Sequence, residues 1–290
     1  RGDLLQQVAE GLTLMDDLLP VVEPVLGKVE LLDELQSGYL GLVNKGNLEL
    51  YNGPLRLVDH DGKRLVEFPV KDYLKHIGEH VEDYSYLKFP FFRPRGWPKG
   101  MYRVGPLARL NVADSITTPL AREQLETMRA QFGKTMNHTF LYHWARLVEC
   151  LFALERADLL LNDSDITSTD IMQHFEIRGG QGYGVIEAPR GTLIHHYTAN
   201  DDGILTDVNL IVSTVGNNAG MDQGVLNMAR RLIKGGHVNP IIYSNIEMVV
   251  RAYDPCLSCA VHSINGQMAM RIEVLDHLGE TVRVVQNFDQ

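Results

Sequence analysis

Residues 254–262 read Asp-Pro-Cys-Leu-Ser-Cys-Ala-Val-His, and this stretch constrains the chain more than any other. It holds two of the three cysteines at C-x-x-C spacing, with a histidine three residues further on. Pro255 restricts the backbone just before the first thiol. Two thiolates at this spacing can converge on one soft metal ion, and His262 can add an imidazole to that ion or to a neighbour. The same spacing also suits a redox pair, or two buried thiols at the end of a packed helix.

The remainder of the 290 residues reads as an α+β chain with a helical-bundle core and β-rich insertions. Residues 3–36 carry apolar positions at helical spacing, and Pro20 and Pro24 interrupt them, which predicts two helices or one broken helix. Gly-rich turns separate short apolar runs over 38–70 and predict a small β-meander. Residues 72–80 read as helix, and 84–111, rich in aromatics, Pro and Gly, as an irregular loop. Helices are expected over 119–132 and 138–161. Cys150 on the second, among Leu147, Leu151 and Leu154, is expected to be a small core hydrophobe, and His143 and Trp144 to be core or interface residues. β character returns over 171–215. Gly-Gly-Gln-Gly-Tyr-Gly at 179–184 lacks the strand–glycine–helix context of a dinucleotide site. Helices are expected over 222–234 and 240–253, the second delivering Asp254 and the cysteines. Alternation over 265–285 predicts a strand pair turning at Leu278-Gly279.

Charge and cysteine usage narrow the function. The net charge is −10, from 37 acidic and 27 basic residues, which argues against a nucleic-acid partner. An odd, low cysteine count argues against a disulfide framework and for a reducing compartment. No apolar run reaches the roughly 18 residues of a membrane span. Arg1 begins inside an amphipathic pattern, and the chain reads as a piece of a longer one.

Four motifs in order carry a family resemblance: Tyr-Arg-Val-Gly-Pro-Leu-Ala-Arg-Leu-Asn at 102–111, Glu-Ala-Pro-Arg-Gly-Thr-Leu-Ile-His-His-Tyr at 187–197, Val-Asn-Leu-Ile-Val-Ser-Thr at 208–214, and the stretch 254–262. Together they resemble the large, catalytic subunit of cytoplasmic NAD-reducing bidirectional nickel–iron hydrogenases, from about residue 3 to the end of the chain. The family's other cysteine motif, R-x-C-G-x-C near its N-terminus, is absent from these residues.

The resemblance implies a nickel–iron centre with CO and cyanide ligands. Cys256 would be a terminal nickel ligand and proton acceptor, and Cys259 a nickel–iron bridge. Arg190 would stand over the centre as a fixed cation with planar donors, a task Lys fits less well. Asp254 would be its partner. Ser213 and Thr214 would be the hydroxyl pair, Ser213 donating to a cyanide. His262 would bind a magnesium ion, with Asn209 offering its backbone carbonyl. Read without the family, Ser213, Thr214 and Asn209 are ordinary strand positions, and Arg190 a surface or ion-paired residue.

Further implied are an iron–sulfur small subunit, diaphorase subunits with FMN and NAD, maturation chaperones, and a protease removing residues 263–290. Three cysteines do not make four thiolates, so the isolated chain is expected to be inactive. Other readings are a hydrogenase with coenzyme F420 or sulfur as acceptor, and a non-enzymatic zinc-binding module built on Cys256, Cys259 and His262.

Overall fold

The computed structural model describes residues 1–28, 30, 32, 34–234, 240–257, 271–276 and 278–286. Its first element, α1 (Gly2–Leu26), follows from one apolar stripe: Leu5, Val8, Leu12, Met15, Leu19, Val22 and Leu26 recur every three or four residues. That stripe packs on the helix Tyr142–Asn162 (α5). Pro20 and Pro24 lie inside α1 without dividing it, contrary to the expected break. An interior proline costs about 3 kcal/mol. Here both prolines are exposed while Leu19 and Leu26 are buried, and each such side chain contributes roughly 1.5–3 kcal/mol on burial. Leu14, Leu18, Val21 and Val25, next to the packed stripe, stay exposed.

The expected meander over 38–70 is a sheet. β1 (Gly38–Asn44) pairs with β2 (Asn47–Leu48) and with β3 (Leu55–Val58), which pairs with β4 (Arg64–Phe68), all antiparallel. β7 (Tyr102–Arg103) joins β1 in parallel. Two expectations fail between these strands. Only Tyr73–His76 (α2), directly after a 3₁₀ turn ending at Asp72, is α-helical in the stretch 72–80. The next four residues form β5 (Ile77–His80), antiparallel to β6 (Phe89–Phe92). Residues 84–111, expected as irregular loop, also hold the helix α3 (Pro106–Val112), every residue of which is buried. A helix covered on all sides has no polar face, so its period leaves no trace in the sequence.

α4 (Pro119–Phe132) and α5 follow as expected, then the hairpin β8 (Gly180–Ala188) and β9 (Gly191–Ala199), with β10 (Leu205–Ile211) on the far side of β9. The Gly-rich run 180–184 is strand, as its lack of a nucleotide-binding context implied. α6 (Asn218–Leu232) and α7 (Pro240–Ala252) complete the helical core, in which Leu107, Leu125, Trp144, Met228 and Val249 belong to one buried cluster. Trp144 fits its expected place. Cys150 does not: it is exposed on α5. Last, β11 (Arg271–Leu275) and β12 (Thr281–Gln286) form a hairpin within the strand pair expected over 265–285, of which 265–270 lie outside the described residues, with Asp276 Oδ1 accepting from the backbone N–H groups of Leu278 (2.8 Å) and Glu280 (3.0 Å). Among the described residues no helix is long and apolar enough to cross a membrane.

Candidate metal centre

Three chain reversals meet at one place. The first is the two-residue turn Pro189-Arg190 between β8 and β9, closed by the Ala188–Gly191 pair. It sits against the start of α3 with no room to spare. Gly105 has φ +90°, and a Cβ there would lie 3.0 Å from the Arg190 carbonyl oxygen. Gly191 has φ +144°, and a Cβ there would lie 2.2 Å from Val104 Cγ2. Only glycine combines that backbone with that approach.

The second reversal is the 3₁₀ turn Ser213–Asn217 after β10. Ser213 (7% exposed) and Thr214 (2%) are buried there. Asn217 closes the turn onto the first: its Oδ1 accepts from Val104 N (2.9 Å) and its Nδ2 donates to the Arg190 carbonyl (3.2 Å). The third is the end of α7. Arg146 of α5 donates to the Ala252 carbonyl (3.0 Å), and Asp254 then takes a left-handed backbone, φ +50°, which Asp tolerates better than most residues.

At the meeting point the Arg190 guanidinium donates through Nε to the Asp254 carbonyl (2.6 Å) and through Nη2 to Asp254 Oδ1 (3.4 Å), and Nη2 also lies 3.3 Å from Oδ2. Its Nη1 has no partner among the described residues. The backbone N–H of Cys256 donates to Thr214 Oγ1 at 3.2 Å, leaving the hydroxyl proton of Thr214 for another acceptor. Thus two contacts, Arg190 with Asp254 and Thr214 with Cys256, tie the stretch 254–256 to two distant turns, and Ser213 precedes Thr214 in one of them. Arg190 is not buried: its side chain is 36% exposed and that of Asp254 49%.

The remaining expected residues stand differently. Asn209, on β10 opposite His196, gives its side-chain Nδ2 to Tyr73 Oη (2.8 Å), which also bonds His196 Nδ1 (3.1 Å). Cys259 and His262 lie outside the described residues, as does most of the stretch after Leu257. Among the described residues no group of three or more His, Cys, Asp and Glu is placed to hold a metal. Asn217, Gly105 and Gly191 were not anticipated. Their roles rest on contacts between segments roughly 25 to 115 residues apart, for which a single sequence carries no signal.

The fold is α+β, that of a nickel–iron hydrogenase large subunit. Residues 49–262 match the family described as nickel-dependent hydrogenase, and the chain belongs to that family. One subunit of the F420-non-reducing hydrogenase of Methanothermobacter thermautotrophicus is 41% identical over 290 residues, covering 97% of this chain and 61% of the relative. The beta subunit of the NAD-reducing hydrogenase HoxS of Cupriavidus necator is 42% identical over 240 residues, covering 81% of this chain and 49% of the relative. Among solved structures, that of an NAD+-reducing NiFe hydrogenase in its H2-reduced state superposes with a TM-score of 0.78 at 37% identity, over 90% of this chain and 58% of that one. The chain therefore spans about three-fifths of the length of the relatives it matches most fully.

A nickel-dependent family implies a nickel-containing group, and the described donors fit one side of such a group. Cys256 brings a sulfur ligand for a soft metal. The Nη1 of Arg190, unpartnered among the described residues, and the hydroxyl proton of Thr214 are hydrogen-bond donors that a group held there would meet. The other ligands that a metal cage needs are not among the described residues.

Proposed function

We propose that this chain forms one half of the site at which a nickel–iron hydrogenase reversibly oxidises dihydrogen. The observation that carries the proposal is the contact of Arg190 with Asp254 and of Thr214 with Cys256, which gathers a cysteine, a cation and a hydroxyl from three motifs at one turn. When bound, a nickel–iron group with CO and cyanide ligands would supply the two-electron chemistry of dihydrogen.

This chain's residues then have distinct tasks. Cys256 would hold nickel and take up a proton at Sγ, and Cys259 would supply a second sulfur ligand. Arg190 fixes a positive charge and a planar donor beside the turn, with Asp254 balancing that charge. Ser213 and Thr214 donate to diatomic ligands. His262 and the Asn209 carbonyl hold a magnesium ion. The protein thereby sets geometry and charge around chemistry that belongs to the metals.

Electrons leave toward NAD, first through an iron–sulfur small subunit, then through diaphorase subunits carrying FMN, in the cytoplasm. The NAD-reducing relative and the solved NAD+-reducing enzyme support that acceptor. A second reading, an acceptor other than NAD, is favoured by F420-non-reducing relatives that match 97% of the chain. Chaperone-assisted metal loading precedes cleavage after His262, which would release the segment holding β11 and β12. The isolated 290-residue chain is inactive on this reading.

The test is hydrogen turnover by the full-length holoenzyme. Cys256→Ser should abolish it. Arg190→Lys, which keeps the charge and loses the planar donors, should lower it about 100-fold or more, the scale for removing one preorganised donor. Turnover unchanged in either variant would refute the assignment.

A further inference from the structure

The motif at 102–111 has no part in the function proposed above, yet its Arg109 reaches the same turn from behind. Arg109 lies in α3, 2% exposed, and all its donors are used. Nε and Nη2 grip both oxygens of Glu149 (2.5 and 2.7 Å). Nη1 donates to Glu187 Oε2 (2.9 Å) and to the Ala188 carbonyl (2.8 Å), and Nη2 also to the Pro189 carbonyl (3.2 Å). The other oxygen of Glu187 accepts from Leu42 N (2.9 Å) and Thr192 Oγ1 (2.8 Å). Burial opposes the Arg109 cation, but Glu149 and Glu187 outweigh it and hold its pKa above the ordinary value.

Such a network is an expensive way to gain stability, because desolvating three charges consumes much of what their attraction returns. What it does with geometry is more specific. Three consecutive carbonyls, Ala188, Pro189 and Arg190, are each held by a side chain, the first two by Arg109 and the third by Asn217. A two-residue hairpin tip is ordinarily among the most mobile parts of a sheet. Here it is clamped by Arg109 and Asn217.

We propose that Arg109 is a positioning residue: with Glu149 and Glu187 it fixes the 188–190 backbone so that the Arg190 guanidinium stands beside Asp254 at the head of the Cys256 turn. The inference rests on the role proposed for Arg190. Lys at position 109 would keep the charge but bring three donors on a compact ammonium, and so cannot serve Glu149, Glu187 and both carbonyls at once.

The experiment uses the full-length holoenzyme as wild type, Arg109→Lys, Arg190→Lys and the double variant. Turnover is expressed per bound nickel, and amide hydrogen exchange is followed in peptides spanning 188–192. Arg109→Lys should speed exchange there and lower turnover about 100-fold, the cost of misplacing a reacting group by about 1 Å. In the Arg190→Lys background the same change should alter turnover less than about 3-fold, because both substitutions act through one group. An equal factor in both backgrounds, or unchanged exchange and turnover, would overturn the proposal. If Arg190→Lys alone left turnover untouched, the functional reading would fail, while exchange would still report whether Arg109 holds the turn. Should Arg109→Lys not fold, Glu149→Gln loosens the same clamp, and unchanged exchange in that variant would also overturn the proposal.

Discussion

Arg103, six residues before Arg109, shows how a buried cation can be satisfied without a carboxylate among its hydrogen-bond partners. Fully buried, it donates to Ser37 Oγ (2.7 Å), the Leu35 carbonyl (2.5 Å), the Asn137 carbonyl (3.1 Å) and Tyr39 Oη (2.5 Å), and lies over the Tyr39 ring. Burial pushes the Tyr39 phenol up to about 12 although Arg103 opposes it, so the hydroxyl keeps its proton and donates to Asn137 Oδ1 at 2.7 Å. Tyr39→Phe should therefore cost about 1–3 kcal/mol, the desolvation penalty of buried partners left unpaired. Urea unfolding should show a lower midpoint with an unchanged slope. Reading the sequence reaches some of this scale and not the rest. Cys256, Arg190 and Asp254 could be named only through the family resemblance that four motifs in order carry. The carbonyl clamps of Arg109 and Asn217 could not, because an Arg inside Pro-Leu-Ala-Arg-Leu-Asn looks like any helix residue until its partners arrive from 40 to 80 positions away.

Among elements, α4 illustrates a cap supplied from a distance. Thr118 precedes the helix and is the obvious N-cap by residue type, yet it makes no side-chain cap bond and its buried hydroxyl has no partner among the described residues. Glu155 of α5 caps the helix instead, accepting from Leu120 N (2.8 Å) and Ala121 N (3.0 Å). A carboxylate at a helix N-terminus also meets the positive end of the helix dipole. Glu155→Ala should lower stability by about 1–2 kcal/mol while Thr118→Ala stays within about 0.5 kcal/mol, compared by thermal melts of the two variants. The amphipathic helices were legible because one face is wet. α1 was misjudged at its prolines because their cost is local and visible, whereas the packing that offsets it is tertiary. α3 and the β5–β6 hairpin escaped notice because a fully buried helix has no period and strands of four residues are too short to show an alternation.

On the scale of the whole molecule, helices and sheets converge on three reversals, and each carries a motif that can be quoted from the sequence. The α+β class with a helical core was legible from the order of apolar periods. That the turn after β8, the 3₁₀ turn after β10 and the end of α7 share one place was not, since no local pattern encodes which loops meet. The same convergence explains why so short a stretch as 254–257 is held so firmly: Arg190 and Thr214 bind its backbone, and Arg146 binds the helix end before it. All of the proposed chemistry requires that Cys256 lie at a nickel-binding turn. X-ray absorption at the nickel and zinc edges of the full-length protein, with wild type and Cys256→Ser side by side, decides the matter. The wild type should show nickel in a sulfur-rich shell, and the variant should lose the nickel or one sulfur from that shell. Zinc in place of nickel, or a nickel shell indifferent to the substitution, would contradict it.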